Sequence, residues 1–129
     1  MTLNKTSKNF FAVGAFLMAL AIAIGAFGAH GLKAIVTPEM LKIYHTGVEY
    51  HFYNTLGLFA LAVLLNFKQN IKKLVISCWL IVIGLLIFSV SLYFLVILNI
   101  PILGAITPIG GTLLIIAWLL ATYSIIKEN

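Results

Sequence analysis

The residues of this chain that could do chemistry are histidines, glutamates and tyrosines, and most of them lie between positions 30 and 54. His45 and Glu49 are four residues apart, so on a helix they share one face and can meet as a base and an acid. His51 points about 200° away from Glu49, because each helical residue turns about 100°. This pattern could serve proton or ligand chemistry only if other helices bring partners to it.

Signatures of established catalytic and metal chemistry are absent from the sequence. No HExxH or CxxCH pattern is present, and Cys78 is the sole cysteine, which excludes an internal disulfide or a CxxC site. The chain contains no aspartate and no Gly-x-Ser-x-Gly segment, so a hydrolase triad is not supported. We predict no catalytic residue, no metal and no cofactor.

Composition indicates where the protein lies. Hydrophobic residues make up 63% of the 129 residues and charged residues 9%, compared with about 45–50% and about 25% in soluble domains. We predict an all-α integral membrane four-helix bundle that forms a single domain over residues 1–129. Since a span needs about 20 apolar residues, the spans are expected at about 10–29, 48–67, 74–98 and 108–126.

Turn signals separate these spans. Thr37 and Pro38, followed by an acid, are typical of a helix start. The stretch that follows is amphipathic, which predicts a short interfacial helix at the outer surface before the second span. A segment at 99–108 breaks the long apolar run, and Pro108 with Thr107 as its cap predicts the start of the fourth span.

Lysines indicate the orientation. Six lie on the side of the termini and the second loop: Lys5, Lys8, Lys68, Lys72, Lys73 and Lys127. The other two, Lys33 and Lys42, lie on the opposite side. Because lysine-rich ends stay in the cytoplasm, both termini are predicted to be cytoplasmic. The net charge of +5 therefore indicates membrane lipids as partners, and we predict no nucleic-acid binding.

Several polar residues reach one depth, near the outer surface, when they are counted inward from the ends of the spans. The candidate ligand-binding residues are His30, His45, Glu49, Tyr50, His51, Tyr53, Asn54 and Thr107. A carboxylate at the bilayer centre costs about 2.5–3.5 kcal/mol, which makes Glu49 a functional hypothesis. Near the surface the cost is lower, so a structural role stands beside a ligand, proton or ion role.

Small residues indicate where helices pack closely. In the first span one face carries five alanines and a second face carries Gly14, Ala21, Gly25 and Gly28, and Gly110 and Gly111 open the fourth span. Small faces let helix backbones approach in lipid. Two such faces predict a central first helix, and one of them could also serve a contact in a homo-oligomer.

Four stretches resemble one family. Residues 25–30 (GAFGAH), 46–50 (TGVEY), 88–93 (FSVSLY) and 107–111 (TPIGG), with Trp118 after them, are similar in type and order to the motifs of DUF423, a family of small four-helix bacterial membrane proteins. The chain departs from the pattern at Asn54, where histidine is expected, and at Val90, where glycine is expected. Asn54 can form hydrogen bonds but cannot titrate near neutral pH.

The resemblance implies a multi-pass protein of the bacterial cytoplasmic membrane with a role in maintaining that membrane, and it supplies no chemistry. Our hypothesis is a non-enzymatic protein that binds a lipid, small amphiphile or partner at its outer polar end and supports envelope integrity. The alternative is a proton or cation transporter or channel that uses Glu49 and His45.

Overall fold

The computed structural model describes residues 2–68 and 71–127 of the chain. Four α-helices make up most of this part: α1 (Lys5–His30), α2 (Pro38–Phe67), α3 (Lys72–Ile97) and α4 (Thr107–Lys127). Short 3₁₀ segments, Leu32–Ala34 and Pro101–Ala105, lie between α1 and α2 and between α3 and α4. All four helices are long and apolar enough to cross a membrane, which confirms the predicted all-α membrane bundle.

The helices run alternately up and down, so the bundle has two distinct ends. We call the end that carries the connections at 31–37 and 98–106 the connection end. The opposite end, where α1 begins, α2 ends, α3 begins and α4 ends, is the terminal end. The candidate site residues of the sequence lie in the half of the bundle nearer the connection end or at its middle.

The predicted interfacial helix is part of α2 and not a separate element. Thr37 caps α2 as expected, since its side chain accepts a hydrogen bond from the Met40 N–H at 3.2 Å and Pro38 follows it. The helix then continues for 30 residues without a break. The 19 residues from Glu49 to Phe67 already span about 27 Å, close to the hydrocarbon thickness, so the first turns of α2 extend beyond it.

The centre of the bundle is formed by α2 and α3. Most of the apolar part of α3 is buried, whereas most of α1 and α4 is exposed. The prediction of a central first helix is therefore wrong. Short connections keep each helix beside its neighbours in sequence, and only the middle two helices have a neighbour on both sides. The alanine face of α1 consequently stays exposed: Ala12, Ala15, Ala19, Ala23 and Ala26.

The second small face of α1 packs on α2. A Cβ atom at Gly14 would lie 2.8 Å from the ring of Phe59, and one at Gly28 would overlap the ring of Tyr44. Ala21 is fully buried on the same face, and Gly25 lies opposite Val48. Aromatic side chains of α2 thus fill the space that the small residues of α1 leave.

Glycines also bring α3 and α4 into backbone contact. A Cβ atom at Gly110 would lie 2.8 Å from the Gly84 carbonyl oxygen and would overlap the Phe88 amide. Gly111, by contrast, would place its Cβ 3.5 Å from the Phe88 ring, an ordinary contact distance. Backbone atoms cannot move aside as a side chain can, so Gly110 alone of this pair is required by the packing.

The end of α3 is formed by Asn99, whose φ of 52° is the one positive value among the described non-glycine residues. The Ile100 N–H donates to the Leu95 carbonyl at 3.0 Å across this turn. Asparagine tolerates the left-handed conformation better than most residues and commonly ends helices in this way. Asn99, the first polar residue after the third span, therefore ends the helix through its backbone conformation.

Substitution of Gly110 by alanine is expected to lower the free energy of unfolding by about 1–3 kcal/mol, because the added methyl group forces α3 and α4 apart. Gly111→Ala is the matched control and should change it by much less. Unfolding in mixed detergent micelles with increasing dodecyl sulfate, followed by tryptophan fluorescence, measures both. Equal effects of the two substitutions would contradict the backbone contact.

Candidate functional site

The structure divides the predicted site residues into exposed and buried ones. His30, His45, Glu49, Tyr50 and Tyr53 are exposed, Thr107 is half-buried, and His51 and Asn54 are buried. Three of the exposed ones, His45, Glu49 and Tyr53, lie on another face of α2 than His51 and Asn54, since successive residues turn about 100°. These eight residues therefore do not form one cluster, although they lie at a similar depth in the bundle.

A buried arrangement of His51, Tyr93 and Tyr44 lies near the connection end. The His51 Nδ1 is 2.8 Å from the Tyr93 hydroxyl oxygen, and either group can be the donor. The rings of Tyr44 and Tyr93 have centroids 5.3 Å apart. The Tyr44 hydroxyl donates to the Ile24 carbonyl of α1 at 2.5 Å. Three helices are thus joined through three polar side chains inside an apolar layer.

Tyr44 and Tyr93 are not among the candidate residues that the sequence analysis selected. The signal that could have identified Tyr44 is its spacing: residues 44, 48, 51, 55 and 58 recur at intervals of three or four along α2, and all five are buried. Such a stripe predicts the face that packs on neighbouring helices. Tyr93 had no comparable local signal, because nearly every residue around it is apolar.

His51 keeps one ring nitrogen unused. Its Nε2 forms no hydrogen bond of acceptable length and angle within the described residues, although the backbone of Leu17 on α1 lies near the ring. The side chain is only 4% exposed, so water reaches it poorly. A buried polar atom without a partner costs about 1–3 kcal/mol, and this makes His51 the least satisfied polar group of the interior site.

Asn54 is occupied by structural hydrogen bonds. Its side-chain oxygen accepts from the Trp118 indole N–H at 2.9 Å, and its side-chain nitrogen donates to the Tyr50 carbonyl at 2.9 Å. The indole ring of Trp118 lies where a Cβ atom of Gly57 would be. Asn54 therefore ties α4 to α2, and no proton needs to be gained or lost at this position.

Thr107 also serves a contact between helices. It is the first residue of α4, and its hydroxyl oxygen lies 2.6 Å from that of Ser91 on α3. The structure corrects the predicted role of Thr107 as the cap before α4, because Thr107 is already helical and its hydroxyl contacts Ser91 of α3.

His45 and Glu49 line a shallow depression of about 320 Å³ on α2. Its other lining residues, Pro38, Leu41, Lys42 and Thr46, belong to the same helix. No second helix contributes to it, so this face is a polar strip on the outside of the bundle. Within the described residues, no three His, Cys, Asp or Glu side chains come together in a way that could hold a metal ion.

An apolar groove lies between α1 and α3 at the connection end and has a volume of about 420 Å³. Apolar and aromatic side chains of three helices line it: Ala23, Ile24 and Phe27 from α1, Tyr44 from α2, and Val90, Tyr93, Phe94 and Ile97 from α3. Tyr44 and Tyr93 connect the groove to the buried arrangement behind it. Val90 narrows this groove compared with a glycine, the residue that the family resemblance leads us to expect at this position.

Replacement of Tyr93 by phenylalanine should lower the free energy of unfolding by about 1 kcal/mol, because it leaves both ring nitrogens of His51 without a partner in the lipid-embedded interior. Tyr44→Phe should cost less, since the Ile24 carbonyl keeps its bond within α1. The same detergent unfolding measurement checks both, and ¹⁵N resonances of the histidine ring report the change directly. An unchanged His51 resonance in the Tyr93 variant would contradict the pair.

Comparison with known proteins agrees with the membrane fold. The sequence model of a family described as "Protein of unknown function (DUF423)" matches residues 24–111, a segment that includes every candidate ligand-binding residue named above. No solved structure matches the chain significantly.

Three relatives show how far the likeness extends. The chain is 43% identical to the UPF0382 membrane protein YwdK of Bacillus subtilis over 120 residues, which cover 93% of this chain and 98% of that protein. It is 38% identical to a UPF0382 membrane protein of Staphylococcus epidermidis over 121 residues, 93% and 97% of the two chains. It is 40% identical to one of Haemophilus influenzae over 108 residues, 84% and 86%. The chain therefore belongs to the DUF423 family of membrane proteins, whose function is unknown.

Proposed function

We propose that this protein is a non-enzymatic membrane protein that holds an amphiphilic molecule at its connection end, with the apolar chain in the groove between α1 and α3. The observation that carries the proposal is the groove itself. Its volume of about 420 Å³ falls within the range of about 300–1,000 Å³ that ligand pockets have. By holding such molecules the protein would support the integrity of the membrane.

The lining of the groove favours a hydrocarbon chain over a polar ligand. The two hydroxyl groups nearest to it, those of Tyr44 and Tyr93, are both engaged inside the protein, with the Ile24 carbonyl and with His51. Their rings and the neighbouring apolar side chains therefore form the surface that a ligand meets. A polar head has a place further out, since His30 lies one turn beyond Phe27 on the same face of α1 and is exposed.

The same contacts favour a non-enzymatic role. The buried histidine pairs with a tyrosine and not with a carboxylate. Glu49, the carboxylate nearest to it in sequence, is exposed on another face of α2. General acid–base catalysis needs such groups within hydrogen-bonding reach of one reacting atom, and these residues do not share a cavity.

Proton or cation conduction by Glu49 and His45 has less support. Both residues lie on the exposed strip of α2, where only α2 contributes lining residues. Transport sites usually lie near the middle of the membrane, between helices. The polar strip fits better at the membrane surface, beside lipid headgroups.

We further propose that the protein lies in the bacterial cytoplasmic membrane with both termini in the cytoplasm. Six of its eight lysines belong to the terminal end, and positive segments stay on the cytoplasmic side. The exposed alanine face of α1 is the surface that a second copy would use if the protein forms a homo-oligomer.

Ala23→Phe should fill the groove and reduce ligand capture. The probe is a phosphatidylcholine with a photoreactive diazirine in its acyl chain, incorporated into vesicles that contain the protein. Crosslinks to groove residues, mapped by peptide mass spectrometry, should fall at least about fivefold, because a phenyl ring occupies the space of the chain. Ala19→Phe adds the same ring to the same exposed face one turn away, outside the groove, and should leave labelling unchanged. Equal labelling of both variants would refute the groove as a binding site.

Accessibility of introduced cysteines tests the orientation. Lys33→Cys should react with a membrane-impermeant maleimide in intact cells, and Lys127→Cys should react only after the cells are opened. The native Cys78 is fully buried, so the unmodified protein provides the background. The reverse pattern of labelling would place the termini outside.

A further inference from the structure

A second groove lies at the terminal end, on the same side of the bundle but at the opposite membrane surface. It has a volume of about 440 Å³ and lies between the first turns of α1 and α3. The start of α1 contributes residues 4–6, α2 contributes Leu65, and α3 contributes Lys72, Val75 and Ile76. No part of the proposed amphiphile site belongs to it.

The start of α1 is held rigidly at this groove. The Asn4 side chain accepts from the Ser7 N–H at 2.8 Å and donates to the Leu65 carbonyl at 2.7 Å, and the Asn4 N–H donates to the Asn66 side chain at 2.8 Å. The Ser7 hydroxyl donates to the Ala62 carbonyl at 2.7 Å. These bonds fasten the first turn of α1 to the last turns of α2, so the backbone positions of Lys5 and Thr6 are set before any ligand binds.

The groove is positively charged, and none of the described residues that line it carries a negative charge. Lys5 and Lys72 enter it from two helices, and neither has an ion-pair partner within the described part of the chain. The two carboxylates that the structure describes, Glu39 and Glu49, lie on the half of α2 nearer the connection end. At about 1.5 Å per residue, even Glu49 lies about 24 Å along α2 from Leu65.

From the membrane surface inward, polar residues of the groove are followed by apolar ones, which is the order of the headgroup and acyl chains in a phospholipid. The two lysines and Thr6 lie at the level where the spans begin, and Val75 and Ile76 follow Lys72 toward the hydrocarbon layer. Ile76 is half exposed, and beyond it Phe10 of α1 and Trp79 of α3 meet edge to face with centroids 5.2 Å apart, which closes the furrow. A headgroup at the lysines would thus have an apolar wall for the start of its acyl chain.

We propose that this groove binds the headgroup of an anionic phospholipid from the surrounding membrane. Its phosphate would lie between the ammonium groups of Lys5 and Lys72, with the Thr6 hydroxyl as a further donor. Cationic side chains of adjoining helices at a membrane surface are a usual way to hold such headgroups. The site is independent of the amphiphile groove, since it lies at the other end of the bundle and shares no residue with it.

Native mass spectrometry of the full chain released from mild detergent tests the site. The protein is incubated with equal amounts of phosphatidylglycerol and phosphatidylcholine of identical acyl chains, and the bound phosphatidylglycerol is measured. Each lysine near an anionic headgroup strengthens binding about fivefold, so Lys5→Gln with Lys72→Gln should weaken phosphatidylglycerol binding about 25-fold. Phosphatidylcholine binding should not change.

The matched control is Lys8→Gln with Lys127→Gln, which removes the same charge from the same end without touching the groove. This variant should keep the preference for phosphatidylglycerol. An equal loss in both double variants would mean diffuse attraction and would overturn the site, as would no loss in the groove variant. Displacement of the lipid by glycerol 3-phosphate at comparable concentration would also overturn it, because the occupant would then be a soluble phosphate. Circular dichroism of each variant establishes that the fold is retained.

Discussion

The close approach of α2 and α3 at Gly47 is the contact on which the connection end depends. A Cβ atom at this position would lie 2.9 Å from the Tyr93 ring, and the Ser89 hydroxyl donates to the Gly47 carbonyl at 2.7 Å. One turn along α2 in either direction, Tyr44 and His51 then meet the same tyrosine. A side chain at position 47 would separate the two central helices, and the buried arrangement and the wall of the apolar groove would be lost with it.

Polar groups inside the bundle obey a second constraint, because the hydrocarbon layer supplies no water to satisfy them. Hydroxyl groups accordingly donate to backbone carbonyls, as those of Thr55 and Ser89 do at 2.7 Å. Larger polar side chains pair across helices, as Asn54 does with Trp118. The Nε2 of His51 and the Ser124 hydroxyl are the buried side-chain atoms of the described chain that lack a partner. His51 differs from Ser124 in lying directly behind a groove.

The edge position of α1 explains why both grooves lie on one side of the protein. Because α1 packs mainly along α2, a furrow remains between α1 and α3, and the contact of Phe10 with Trp79 interrupts it. The two openings that remain face opposite membrane surfaces. Membership of a family of unknown function assigns no ligand to either groove. The linings distinguish them, since one is aromatic and apolar and the other is cationic.

The sequence alone determined that this is an all-α protein with four membrane-spanning helices, because hydrophobic run length and polar breaks act locally. It also predicted a helix start after Thr37, where α2 begins, because the cap needs only neighbouring residues. Only the tertiary structure decided which helices lie at the centre. It also decided that His51 turns inward while Glu49 turns outward, and that Lys5 and Lys72 line one groove. Those features depend on side-chain volumes at contacts between helices, such as Gly47 against Tyr93, and residues far apart in sequence set them jointly.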